Sequence, residues 1–84
     1  MSKLDNDNIE ERVRQYLKKE YKIVVELRSR EYGGGWFAHY VDFPGVMGDG
    51  GSREEAIVDV RKAFVRALRC AILAGDVIPE PSRS

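Results

Sequence analysis

The sequence predicts an α+β fold, a small two-layer sandwich in which an N-terminal helix precedes a β-β-β-α-β unit. Three observations lead there. The apolar period changes from helical to two at Tyr21. The run Gly33-Gly34-Gly35 separates two alternating segments, and a helical period returns after Ser52 and persists to Gly75.

Each element has its own justification. In residues 7–20, Ile9, Val13, Tyr16 and Leu17 recur at helical spacing and form one narrow apolar stripe on a charged helix. Asp7 with Glu10 three positions on has the form of a capping box. In the next segment Tyr21, Ile23, Val25 and Leu27 alternate with Lys22, Val24, Glu26 and Arg28, the pattern of a half-buried strand. Gly33, Gly34 and Gly35 supply positive-φ positions for a hairpin into the return strand at residues 36–41. There Trp36, Ala38 and Tyr40 are predicted to face the core, and Phe37 and His39 the outer side. Asp42-Phe43-Pro44-Gly45 reads as a turn, and Val46-Met47-Gly48 as a short edge strand.

Ser52-Arg53-Glu54-Glu55 is a capping box at the start of the long helix, with acids at the positive end of its dipole. Ala56, Val60, Ala63, Phe64, Ala67 and Ala71 form its core stripe, and Gly75 ends it as a C′ residue. Val77-Ile78 is predicted as a last short strand, closed by Pro79 and Pro81. A second apolar stripe, Val58, Val65 and Ile72, lies away from Val60. One sheet cannot cover both stripes, so either the N-terminal helix or a second chain covers this one.

Composition narrows the function classes. The 84 residues suit one domain, and fourteen Lys and Arg balance fourteen Asp and Glu, so no overall field recruits nucleic acid or an anionic membrane. Nucleic-acid binding by this chain alone is therefore not expected. The single cysteine, Cys70, forms no internal disulfide. No apolar run reaches membrane length and the N-terminal segment has no apolar signal region, so the expected setting is soluble and cytoplasmic. A core this small gains from burying more surface against a copy of itself, and a homo-oligomer, most simply a dimer, is expected with Val58, Val65 and Ile72 at its interface.

The chemistry-bearing residues are sparse. Glu26, Asp42, Asp49, Glu54 and Glu55 are candidates for metal-dependent hydrolysis, yet strand, turn and capping duties account for each of them. His39 is the only histidine and has no ligand-spaced Cys or His beside it, so no metal and no cofactor are expected. Gly48-Asp49-Gly50-Gly51-Ser52 lacks the lysine of a phosphate-binding loop and reads as a tight turn with an N-cap.

Four segments in order resemble the HicB-type antitoxins: Gly33-Gly34-Gly35-Trp36-Phe37-Ala38, Asp42-Phe43-Pro44-Gly45, Gly50-Gly51-Ser52-Arg53-Glu54-Glu55-Ala56 and Ile78-Pro79-Glu80-Pro81. The likeness spans residues 21–81, with residues 1–20 as an amphipathic helical extension and 82–84 as a tail. Phe43 stands where the family turn carries Leu. The resemblance implies a partial RNase H-like fold without catalytic carboxylates. It also implies a non-enzymatic role in a type II toxin–antitoxin pair, neutralising a HicA-type mRNA-cleaving ribonuclease by covering its active site. The C-terminal DNA-binding module of many relatives has no counterpart in this sequence. The residues expected to meet such a partner are Val24, Phe37 and His39 on the outer strand faces, with Tyr32 at the hairpin. The alternatives are a solitary homo-oligomeric regulator or RNA-binding protein, and a residual RNase H-like metal-dependent nuclease.

Overall fold

The computed structural model describes the backbone of residues 2–82 and the side chains of residues 8–82. Helix α1 (Ser2–Leu17) leads into β1 (Ile23–Leu27), which is joined through a short 3₁₀ turn at Arg30–Tyr32 to β2 (Trp36–Tyr40). Strand β3 (Phe43–Gly50) and helix α2 (Arg53–Ala74) complete the regular structure. The strands form one antiparallel sheet in the order β1-β2-β3, with α2 on one face.

The hairpin follows its glycines. Gly33, Gly34 and Gly35 take φ values of 98°, 69° and 76°, a left-handed run that residues with a Cβ rarely adopt. The resulting register sets Ile23 opposite Tyr40, Val25 opposite Ala38 and Leu27 opposite Trp36. Tyr21, Ala38 and Tyr40 are buried under α2, while Ile23, Val25 and Trp36 pack at the margin of that core. From α2 come Ala56, Val60, Phe64, Leu68 and Ile72, all buried. Tyr40 stacks on Phe64 at 4.1 Å between ring centroids, and Tyr21 and Phe43 meet Phe64 edge-on.

Helix α2 is capped at both ends as its sequence predicts. Ser52 Oγ accepts the Glu55 N–H at 3.1 Å. The Glu55 carboxylate reaches back to the Gly51 N–H at 2.9 Å, one residue earlier than the Ser52 N–H a capping box normally uses. At the other end Gly75 (φ 74°) donates to Ile72 and Asp76 to Ala71, the paired bonds of a Schellman motif.

Several expectations are corrected. Helix α1 begins at Ser2, so Asp7 lies inside it rather than at its N-cap; the Asp7 side chain is outside the described residues, as are residues 83 and 84 of the tail. The turn before β3 is only Val41-Asp42, and the strand runs on from Phe43 to Gly50 instead of three residues. Gly45, Gly48 and Gly50 are therefore strand residues. Gly48 and Gly50 lie beneath α2, where a Cβ would sit 2.4 Å from the Val60 nitrogen and 2.6 Å from the Glu55 Cβ. They are the contact surface that lets helix and strand approach. Val77-Ile78 forms no strand. Ile78 is buried as a plug, and the segment is held by side chains from elsewhere in the chain: Tyr21 OH donates to the Pro79 carbonyl at 2.6 Å, Lys19 pairs with Glu80, and Asp42 accepts two bonds from Ser82.

Helix α1 lies on α2 and on no other element among the described residues. Val13 enters the core, Ile9 and Tyr16 pack against it, and Glu10 holds Arg69 through two bonds at 2.7 and 3.0 Å. This packing removes the second stripe as a surface. Ile72 is only 8% exposed and Val65 packs against the core, leaving Val58 (53% exposed) alone in the open. The expected interface of Val58, Val65 and Ile72 does not exist as one patch, because the chain's own N-terminal helix occupies that side of α2.

Candidate functional site

Among the described residues the sheet has a helix layer on one face, and the other face carries the candidate site. Its composition follows from strand alternation: with Ala38 and Tyr40 turned inward, Phe37 and His39 must point out. Register then assembles two rows across the sheet. Val24, His39 and Met47 are directly opposed from β1 to β3, and Glu26, Phe37 and Asp49 form the row beside them.

The rows hold an apolar centre within charged neighbours. Val24, Phe37 and His39 are half-buried by one another, whereas Met47 is 51% exposed. The Arg28 guanidinium lies 4.1 Å from the centroid of the Phe37 ring, a cation–π contact at the rim. Phe37 and His39 rings are 5.9 Å apart and tilted by 33°. His39 Nδ1 is shielded from solvent and has no hydrogen-bond partner among the described residues. A buried polar atom without a partner is uncommon in a folded chain.

The structure thus brings Val24, Phe37 and His39 together as the sequence predicts. Tyr32 stands apart from them. It is 75% exposed on the 3₁₀ turn, beside a shallow hollow of about 520 Å³ lined with Glu26, Leu27, Arg28 and Ser29. Met47 belongs to the face although sequence reasoning did not single it out. The signal was present: with Val46 turned inward, the alternate residue of the same strand must point outward.

The acidic residues have structural duties in different places. Asp59 accepts the Asp49 N–H at 3.0 Å on the outer edge of β3, and Glu55 accepts from Gly51. Asp42 accepts from the Ser82 hydroxyl and from the Ser82 N–H at the other end of the sheet, and these two hydrogen bonds hold its carboxyl below the usual range. Glu26 lies beside Phe37 on the outer face. Among the described residues no group of three or more His, Cys, Asp or Glu is placed to hold a metal ion. Cys70 is exposed on α2, and no helix among the described residues is long and apolar enough to cross a membrane.

No protein-family model matches the chain, and neither the curated proteins nor the solved structures give a match to it.

Proposed function

We propose that this chain is a cytoplasmic, antitoxin-like binding module of the HicB type, which neutralises a HicA-type mRNA-cleaving ribonuclease by covering its active site. The observation that carries the reading is the uncovered sheet face: Val24, Phe37, His39 and Met47 form an apolar centre, with Lys22, Glu26, Arg28 and Asp49 around it. An apolar centre inside a charged rim is the usual anatomy of a protein-binding patch. The segments that resemble the family support the same reading through their places in the fold. The glycine run makes the hairpin that leads Phe37 onto this face, and Gly50 through Ala56 start the helix that closes the opposite one.

Neutralisation is the direct test. The small protein encoded beside this chain's gene is expressed alone and together with it, with growth and mRNA integrity as readouts. Co-expression restores growth, and Phe37→Glu abolishes the rescue while the variant's melting temperature stays unchanged. A neighbour that is not toxic, or full rescue by Phe37→Glu, rejects the reading. Mg²⁺-dependent RNA cleavage by the purified chain, lost in Glu26→Ala or Asp49→Ala, replaces it with the nuclease.

A further inference from the structure

The two edges of the sheet end differently. On β3 the backbone groups pointing away from β2 belong to Met47 and Asp49, and the Asp59 carboxylate blocks the edge by accepting the Asp49 N–H. Among the described residues the β1 edge has no such block. Val41 N–H donates to the Lys22 carbonyl and Arg28 N–H to the Gly35 carbonyl, so the even-numbered residues of this segment bond toward β2. The N–H and C=O groups of Ile23, Val25 and Leu27 therefore point off the sheet. Helix α1 lies on α2, so it does not cover them. An unpaired row of this kind is a template for another strand.

The residues along this edge complement themselves. Antiparallel pairing of β1 with β1 of a second copy, centred on Val24, sets Val24 against Val24 and Lys22 against Glu26, the charged pair occurring twice by symmetry. On the helix side the same alignment sets Ile23 against Val25 and Tyr21 against Leu27. Neighbouring alignments are worse. Centring on Val25 opposes Lys22 with Arg28, centring on Glu26 opposes that residue with itself, and centring on Ile23 sets Lys22 against Val24 and leaves Glu26 without a cross-strand cation.

A second observation concerns Leu27. It is on the helix side of the sheet yet 66% exposed, because α2 lies chiefly over β3. In the Val24-centred alignment Leu27 stands beside Tyr21 of the second copy. Tyr21 and Ile23, with Leu17, Phe64 and Val65, line an open cleft of about 580 Å³ at that margin. The leucine that one chain leaves exposed meets the cleft that the other leaves empty.

We propose that the protein is a two-fold dimer formed by antiparallel β1–β1 pairing centred on Val24, which makes one continuous sheet across both copies. The inference stands independently of the antitoxin reading, since pairing at the strand edge leaves the outer face of each sheet open.

Charge exchange tests it, with mass measured by sedimentation velocity. The wild-type protein sediments as a dimer. Glu26→Lys, which faces Lys22 twice, weakens the dimer at least tenfold, and Lys22→Glu does the same. Both sites are exposed, so the fold persists in each variant. Lys22→Glu/Glu26→Lys together restore opposite charges and return the dimer. In a Cys70→Ser background, Val24→Cys cross-links between chains under oxidation, because paired Val24 residues fall within disulfide reach, whereas Lys22→Cys does not. A monomer at all concentrations, a dimer insensitive to the single reversals, or an uncross-linked Val24→Cys dimer overturns the proposal.

Discussion

Gly48 and Ser52 each show how one atom sets a neighbouring element. A methyl group on Gly48 would overlap the backbone of Val60, and backbone cannot rotate away as a side chain can. Gly48→Ala is therefore expected to cost about 1–3 kcal/mol in urea unfolding, the range for overpacked cores. Gly45 lies in the same strand with open space at its Cβ position. Gly45→Ala should leave stability unchanged or raise it by up to about 1 kcal/mol, through a less flexible unfolded chain. Ser52→Ala removes the oxygen that accepts the Glu55 N–H, leaving a helix-start donor without its cap. Its expected cost is about 0.5–2 kcal/mol, read as a fall in melting temperature of roughly 4–8 °C per kcal/mol.

The segment after α2 and the start of β1 are tied by Tyr21. Its ring packs on Phe64 and its hydroxyl donates to the Pro79 carbonyl, while Lys19 pairs with Glu80 nearby. Burial, assisted by the Glu80 carboxylate, pushes the Tyr21 hydroxyl from its ordinary 10.0 up to about 12. A group whose folded value is raised adds stability that is fully present below the unfolded value and is lost as pH rises through the folded one. The protein should therefore lose stability between pH 10 and about 12 as this hydroxyl ionises. In Tyr21→Phe that loss is absent, so the gap in urea midpoint between wild type and variant should close across the same window. A gap that stays constant across it would show that Tyr21 does not ionise there.

In the assembled molecule, face and edge do separate jobs. Helix α2 covers one side of the sheet, with α1 packed on α2, leaving Phe37, His39, Val24 and Met47 on the other. The β1 edge lies between these two sides and shares Val24, Lys22 and Glu26 with the outer face, so Phe37, on the central strand, is the position that tests partner docking by itself. Phe37→Glu is expected to abolish toxin rescue with the sedimenting mass unchanged, and Glu26→Lys to lower the mass. If Phe37→Glu lowers the mass instead, the outer face belongs to the contact between copies.

Much of this arrangement was legible locally. Alternation in Tyr21 through Leu27 and Trp36 through Tyr40 defined both strands and their inward faces, and with them the grouping of Val24, Phe37 and His39. The glycine run located the hairpin, and Ser52 and Gly75 bounded α2, because capping and positive φ are properties of a few consecutive residues. The misreadings share one cause. Val77-Ile78 looks like a strand, but a strand exists only if another offers it a ladder, and this segment is instead held by Tyr21 and Asp42 from distant parts of the chain. Gly48 and Gly50 look like a turn until α2 is laid against them. Val58, Val65 and Ile72 share one side of a helix by their spacing, yet only the docking of α1 determines which of them meets solvent. Short-range order in the chain specifies where elements begin, end and face. Which faces remain uncovered depends on contacts between residues far apart in sequence, and no local pattern encodes those.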